Sequence, residues 1–176
     1  DPLNRLVSMV APDTGTETTV YNKLDAVTSF TDPVAVTTTF VRNGFGEVIR
    51  ETSPDRGTST FYYDAAGRVT AEIDGRGQRV DYVRDMLGRL ASKTPLGLTA
   101  QAVSYQWDSD GLAGSAMIGR LGSVTDASGV TRFGWDYRGL LSGKEQSLGG
   151  IVAQLQYGYD KAGRITRITY PSGRSV

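Results

Sequence analysis

The side chains with most chemical reach in this chain are carboxylates and aromatics, and there is no histidine and no cysteine to work with them. Two carboxylate pairs lie close enough in sequence for acid–base work: Asp108 with Asp110, and Asp74 near Asp81. Asp108-Ser109-Asp110-Gly111 begins like a calcium loop, but the spaced ligands and terminal glutamate of an EF-hand do not follow. Gly75-Arg76-Gly77 is too short and wrongly placed to cradle a phosphate. Without His or Cys there is no Ser-His-Asp or Cys-His nucleophile, no Cys/His zinc site and no disulfide. Trp107, Trp135, Tyr137 and Tyr170 are candidates for stacking on a sugar ring or a partner surface. The carboxylates have a simpler role open to them, as turn formers, so the expectation is no catalytic residue, no metal and no cofactor.

The elements that would position these groups repeat. Tyr63-Asp64-Ala65-Ala66-Gly67-Arg68-Val69 recurs as Arg84-Asp85-Met86-Leu87-Gly88-Arg89-Leu90, as Trp135-Asp136-Tyr137-Arg138-Gly139-Leu140-Leu141 and as Tyr159-Asp160-Lys161-Ala162-Gly163-Arg164-Ile165. Degenerate copies start at Asp1, Tyr21 and Arg42. The glycine slot falls at Asn4, Asp25, Gly46, Gly67 and Gly88, in steps of 21 residues, and then at Gly119, Gly139 and Gly163. The copy opening at Trp107-Asp108 is split, with residues 112–118 inserted before Gly119-Arg120-Leu121. Eight copies therefore form a single array over residues 1–176.

The slot admits only Gly, Asn or Asp, the residues that tolerate a left-handed backbone. Three positions earlier every copy has Asp or Asn, among them Asp64, Asp85, Asp136 and Asp160. Asx first and Gly fourth predicts a type I turn followed by a left-handed residue, the three-residue tip of a β-hairpin. That geometry places Asp1, Asp64, Asp85 and Asp160 opposite Arg5, Arg68, Arg89 and Arg164, and the neutral Asn43 opposite Glu47. One step out, Tyr21, Tyr63, Trp135 and Tyr159 should face Val27, Val69, Leu141 and Ile165, with Arg42 and Arg84 interrupting the aromatic column. Aromatic ladders are expected on one face of the sheet and Asp–Arg pairs on the other. Pro12, Pro33, Pro54, Pro95 and Pro171, commonly followed by Gly, mark the return turns. The insertion at 112–118 is the best candidate for a helical turn, or else a surface loop.

Charge sets further limits. The 19 basic and 19 acidic residues balance, and no Lys/Arg run stands out, so no nucleic-acid partner is expected. No apolar run approaches the ~20 residues of a membrane span, and no signal peptide opens the chain. It starts at Asp1-Pro2 without Met and stops in mid-pattern at Arg174-Ser175-Val176, which reads as a piece of a longer protein.

At these residues the chain resembles the RHS/YD-repeat family, whose hallmark is Tyr-x-Tyr-Asp-x-x-Gly-Arg-Leu. Residues Tyr157-Gly158-Tyr159-Asp160-Lys161-Ala162-Gly163-Arg164-Ile165 match it almost throughout. The resemblance implies an all-β fold of consecutive antiparallel hairpins in a curved, spiralling sheet, part of a hollow shell. It implies a structural role, enclosing a polypeptide cargo such as a C-terminal toxin, in a secreted or cell-surface bacterial protein. The partners would be the rest of that shell and the enclosed chain, with self-association through edge strands. No self-cleaving aspartic-protease motif of the kind many bacterial members carry is found. The alternative is a carbohydrate- or protein-binding module of a wall-associated protein, with a glycan as ligand.

Overall fold

The computed structural model describes residues 1–11 and 15–176. Pro12, expected in a return turn, lies outside the described residues. Two compact units divide the chain at Asp81/Tyr82. The first holds β1 (Ser8–Ala11), β2 (Gly15–Tyr21), β3 (Val27–Thr31), β4 (Thr37–Arg42), β5 (Val48–Ser53), β6 (Gly57–Tyr63), β7 (Val69–Ile73) and the start of β8 (Arg79–Arg84). The second holds the end of β8 and β9 (Leu90–Pro95), β10 (Val103–Trp107), β11 (Leu121–Asp126), β12 (Gly129–Trp135), β13 (Leu141–Leu148), β14 (Ile151–Tyr159) and β15 (Ile165–Thr169). Strand order follows chain order, and the described pairs are antiparallel, so the all-β meander expected from the repeat is what forms. The single helical turn among the described residues is a 3-10 turn at Thr99–Gln101, not the insertion.

All eight slot residues have positive φ, from 58° at Asp25 to 88° at Gly139. The turn chemistry at Asp64 shows why. Gly67 N–H donates to Asp64 C=O (3.0 Å) and Asp64 N–H to Arg68 C=O (2.9 Å), closing a three-residue loop. The Asp64 carboxylate then accepts from the N–H groups of Ala66 (2.9 Å) and Arg68 (3.0 Å). Asp1, Asn22, Asn43, Asp85, Asp136 and Asp160 repeat this pattern. Two return turns use the same device, at Asp32 with Ala35 (φ 64°) and at Asp74 with Gly77 (φ 78°). The first of these is hidden in the sequence because alanine is a poor occupant of a left-handed slot.

The expected cross-strand pairs form: Tyr21 with Val27, Tyr63 with Val69, Trp135 with Leu141 and Tyr159 with Ile165. Immediately beyond each lies a one-residue bulge, which leaves Thr28, Thr70, Ser142 and Thr166 unpaired. A bulge re-aims the side chains around it and adds local twist.

There is almost no core. Ala71, 1% exposed, is the one fully buried apolar residue among those described, and Ser53 and Ser123 are buried polar ones. Each unit is a single layer of sheet with two different faces. In the first, Ser29, Thr39, Thr52 and Thr58 stand in register on one face, beside Thr18, Thr31 and Thr37. Phe30, Phe40 and Phe61 belong to the other. In the second, Gln106, Ser123, Arg132, Glu145 and Gln154 form a polar row, while Tyr105, Phe133 and Tyr157 share the opposite face. With no second layer, stability must come from closures within and between hairpins.

Candidate functional site

The repeated contact between neighbouring hairpins is the structural site of this chain. Tyr63 Oη donates to the main-chain carbonyl of Val48 (2.7 Å), Tyr21 to Leu6 (3.0 Å) and Tyr159 to Leu141 (2.8 Å). Trp107 Nε1 donates to Leu90 and Trp135 Nε1 to Leu121, both at 2.8 Å. Each acceptor belongs to the apolar position of the preceding hairpin. Arg42, read from sequence as a break in the aromatic column, makes the same bond: its Nε donates to Val27 C=O (3.2 Å). Its Nη1 also closes its own turn on Gly46 C=O (2.9 Å), as Arg84 Nη1 does on Gly88 C=O (3.3 Å). The position therefore selects a long side chain with a terminal N–H or O–H. Tyr, Trp and Arg fill it and Phe does not, a signal present in the sequence but hidden by sorting residues into aromatic and other. Burial raises the pKa of the Tyr63 and Tyr159 phenols above the usual tyrosine value.

The Asp–Arg pairs form as expected, with Asp64–Arg68 at 2.8 Å and Asp85–Arg89 and Asp160–Arg164 at 2.7 Å. They are not segregated from the aromatics. Arg5 lies 4.7 Å from the Tyr21 ring centre and also binds Asp25 (2.7 Å). Arg89 lies 4.9 Å from the Trp107 ring centre and also binds Asp108 (2.7 Å). At these two places the arginine after one turn clamps an acid and the ring of the next hairpin, because its stem is long enough to cross the furrow between them. At two of the slots long side chains also lie close by. A Cβ on Gly67 would sit 2.7 Å from Glu47 Oε1, and one on Gly139 would sit 2.6 Å from Arg120 Nη2.

Of the four stacking candidates, only the two tryptophans come together. Trp107 and Trp135 line one shallow trough of about 420 Å³ with Phe133, Leu121 and Leu141. Tyr137 stands at its hairpin tip, 87% exposed, and Tyr170 is 41% exposed in the turn after β15. The carboxylate pairs do not converge. Asp74 pairs with Arg76 (2.8 Å) and Asp81 with Arg79 (2.6 Å). Asp108 accepts from Arg89 and from Gly119 N–H (2.6 Å), and Asp110 accepts from Ser123 Oγ (2.7 Å). The Arg89 bond, helped by that of Gly119, holds the Asp108 carboxyl below its ordinary range, so it is a poor proton carrier near neutral pH. Among the described residues, no group of three or more potential metal ligands comes together.

The insertion has a specific seat. Leu112 N–H donates to Phe133 C=O (3.0 Å) and Ala116 N–H to Trp135 C=O (2.9 Å), taking ladder positions on β12. Its Leu112 side chain lies over Gly134 and Gly143, where an added Cβ would come within 3.1 and 2.9 Å. Met117 packs against Gly111 and Gly122 in the same way. The insertion is therefore a cover built onto a bare patch of sheet rather than a free surface loop.

The repeated sequence matches a known family profile. The RHS Repeat family matches residues 42–80, 63–99 and 146–175, together half of the chain. The chain belongs to the RHS repeat family. Among solved structures, this RHS-repeat chain is similar to the TcdB2–TccC3 complex, with a TM-score of 0.75 and 16% identity over 93% of its length. It is also similar to the Photorhabdus luminescens Tc holotoxin pore carrying a TccC3 mutation, with a TM-score of 0.71 and 14% identity over 89%. It spans about a tenth of those chains, 10% and 9% respectively. The comparison with curated proteins finds no relative.

Proposed function

We infer that this chain is a segment of shell wall in a longer protein, and that the shell encloses and sequesters a polypeptide such as a C-terminal toxin. The observation that carries the reading is the single-layer meander in which six of the hairpins are pegged to the one before by side-chain donors on main-chain carbonyls. Such a sheet grows one hairpin at a time without needing a second layer, which is what a thin wall requires. Its two faces differ in chemistry, as a wall with an inside and an outside demands. The fold shared with the toxin-complex structures supports the same reading. Its action is exclusion, with no bond chemistry, no cofactor and no metal. The enclosing protein would be secreted or presented at a bacterial cell surface.

Face-selective labelling tests this. Thr38 and Thr39 are neighbours on opposite faces of β4, and the chain has no cysteine of its own. With Thr38→Cys and Thr39→Cys placed in the full-length protein, a small maleimide should label both. A maleimide on a bulky polymer should label only the outward one. Equal labelling of both by the bulky reagent would mean an open strip and would refute the shell.

A further inference from the structure

Five hairpins carry arginine directly after the slot: Arg5, Arg68, Arg89, Arg120 and Arg164. Four of them bind the aspartate of their own turn. Arg120 binds no carboxylate among the described residues, and the carboxylate of its own turn, Asp108, receives other donors. Oδ1 receives Gly119 N–H (2.6 Å) and Oδ2 receives Arg89 (2.7 Å). The one hydrogen bond of the Arg120 guanidinium goes to Ala116 C=O in the insertion (2.7 Å). It stands at the trough lined by Trp107 and Trp135, whose volume of about 420 Å³ falls in the ordinary range for ligand sites. Both indole N–H groups are already donated to carbonyls, so the rings offer only their faces and edges.

We propose that this trough binds a bulky apolar side chain of an extended polypeptide with a carboxylate next to it, the side chain between the indoles and the carboxylate on Arg120. Charge complementarity selects the occupant. Arg120 lines the trough, its guanidinium at the rim between Ala116 C=O and Gly139 has no anion, and everything else lining the trough is apolar or already hydrogen-bonded. A sugar would need several directional polar partners, and the trough offers one. The insertion makes the site, since residues 112–118 separate Gly119 from the first half of the turn and so bring its N–H onto Asp108. Only the source of the segment, an enclosed polypeptide, rests on the shell reading.

The chain's two tryptophans report directly. The 15N-labelled chain is titrated with an acetylated, amidated Gly-Phe-Glu-Gly peptide, with its Gln analogue and with a β-linked glucan oligosaccharide. The acidic peptide should shift both indole N–H signals and bind roughly tenfold more tightly than the Gln peptide, the worth of one charged hydrogen bond. Arg120→Gln should abolish that preference and Arg120→Lys should keep part of it, which separates loss of charge from loss of fold. Equal binding of the two peptides, indole signals unmoved by either, or a response to the glucan alone would each overturn the proposal. These outcomes are independent of the two-face labelling, so either reading can fail without the other.

Discussion

Tyr62 and Tyr63 are neighbours on opposite faces of β6, and they separate the inter-hairpin hydrogen bond from ring packing. Tyr63→Phe deletes only the hydroxyl that reaches Val48 C=O at 2.7 Å. A net intramolecular hydrogen bond contributes about 0.5–1.5 kcal/mol, and an acceptor left partly buried without a partner adds to the loss. The expected cost is therefore about 1–2 kcal/mol. Tyr62→Phe removes a hydroxyl from an exposed ring (44%) packed under Arg79, and should stay within about 0.5 kcal/mol of the parent. Urea unfolding at 25 °C compares the two. Amide exchange across Val48–Tyr63 should localise the effect, since repeat arrays open piecewise. Alkali supplies a second arm. Burial raises the Tyr63 pKa in the fold, so as pH rises past about 10 the unfolded chain ionises first and stability falls. Tyr63→Phe should lose less over that range. If the two variants are equally stable, the donor column is incidental and the account of how hairpins are pegged fails.

Ala35→Gly should stabilise the chain by about 0.5–1 kcal/mol. A left-handed alanine costs about 1–2 kcal/mol, and glycine's extra freedom in the unfolded chain gives back part of that; a melting temperature unchanged or lowered would contradict it. Asp64 and Asp160 have carboxyl pKa values lowered chiefly by the N–H groups of Arg68 and Arg164. A lowered pKa stabilises the fold above the unfolded value near ~3.9 and is lost as pH falls through the folded one. Asp64→Asn keeps a side-chain oxygen that accepts from the main-chain N–H groups, as Asn22 and Asn43 do, but cannot titrate. Its urea midpoint should decline less than the parent's between pH 5 and 2, and an identical acid limb would count against the carboxylate's role.

Much of this chain could be read before any coordinate. The slot residues had to take positive φ because only Gly, Asn and Asp occupied them, and the turn that follows brought Asp64 onto Arg68 and Tyr63 onto Val69. Those are local consequences of backbone sterics, and local sterics are written in consecutive residues. What joins one hairpin to the next was not legible. The bond from Tyr63 to Val48, the clamp of Arg89 on Asp108 and the vacancy this leaves at Arg120 span 15 residues or more. They depend on how far the bulges at Thr28, Thr70, Ser142 and Thr166 re-aim the side chains around them, a distance that consecutive residues do not encode. Register and reach between hairpins are properties of the assembled sheet, so only the tertiary structure decided which donor meets which carbonyl.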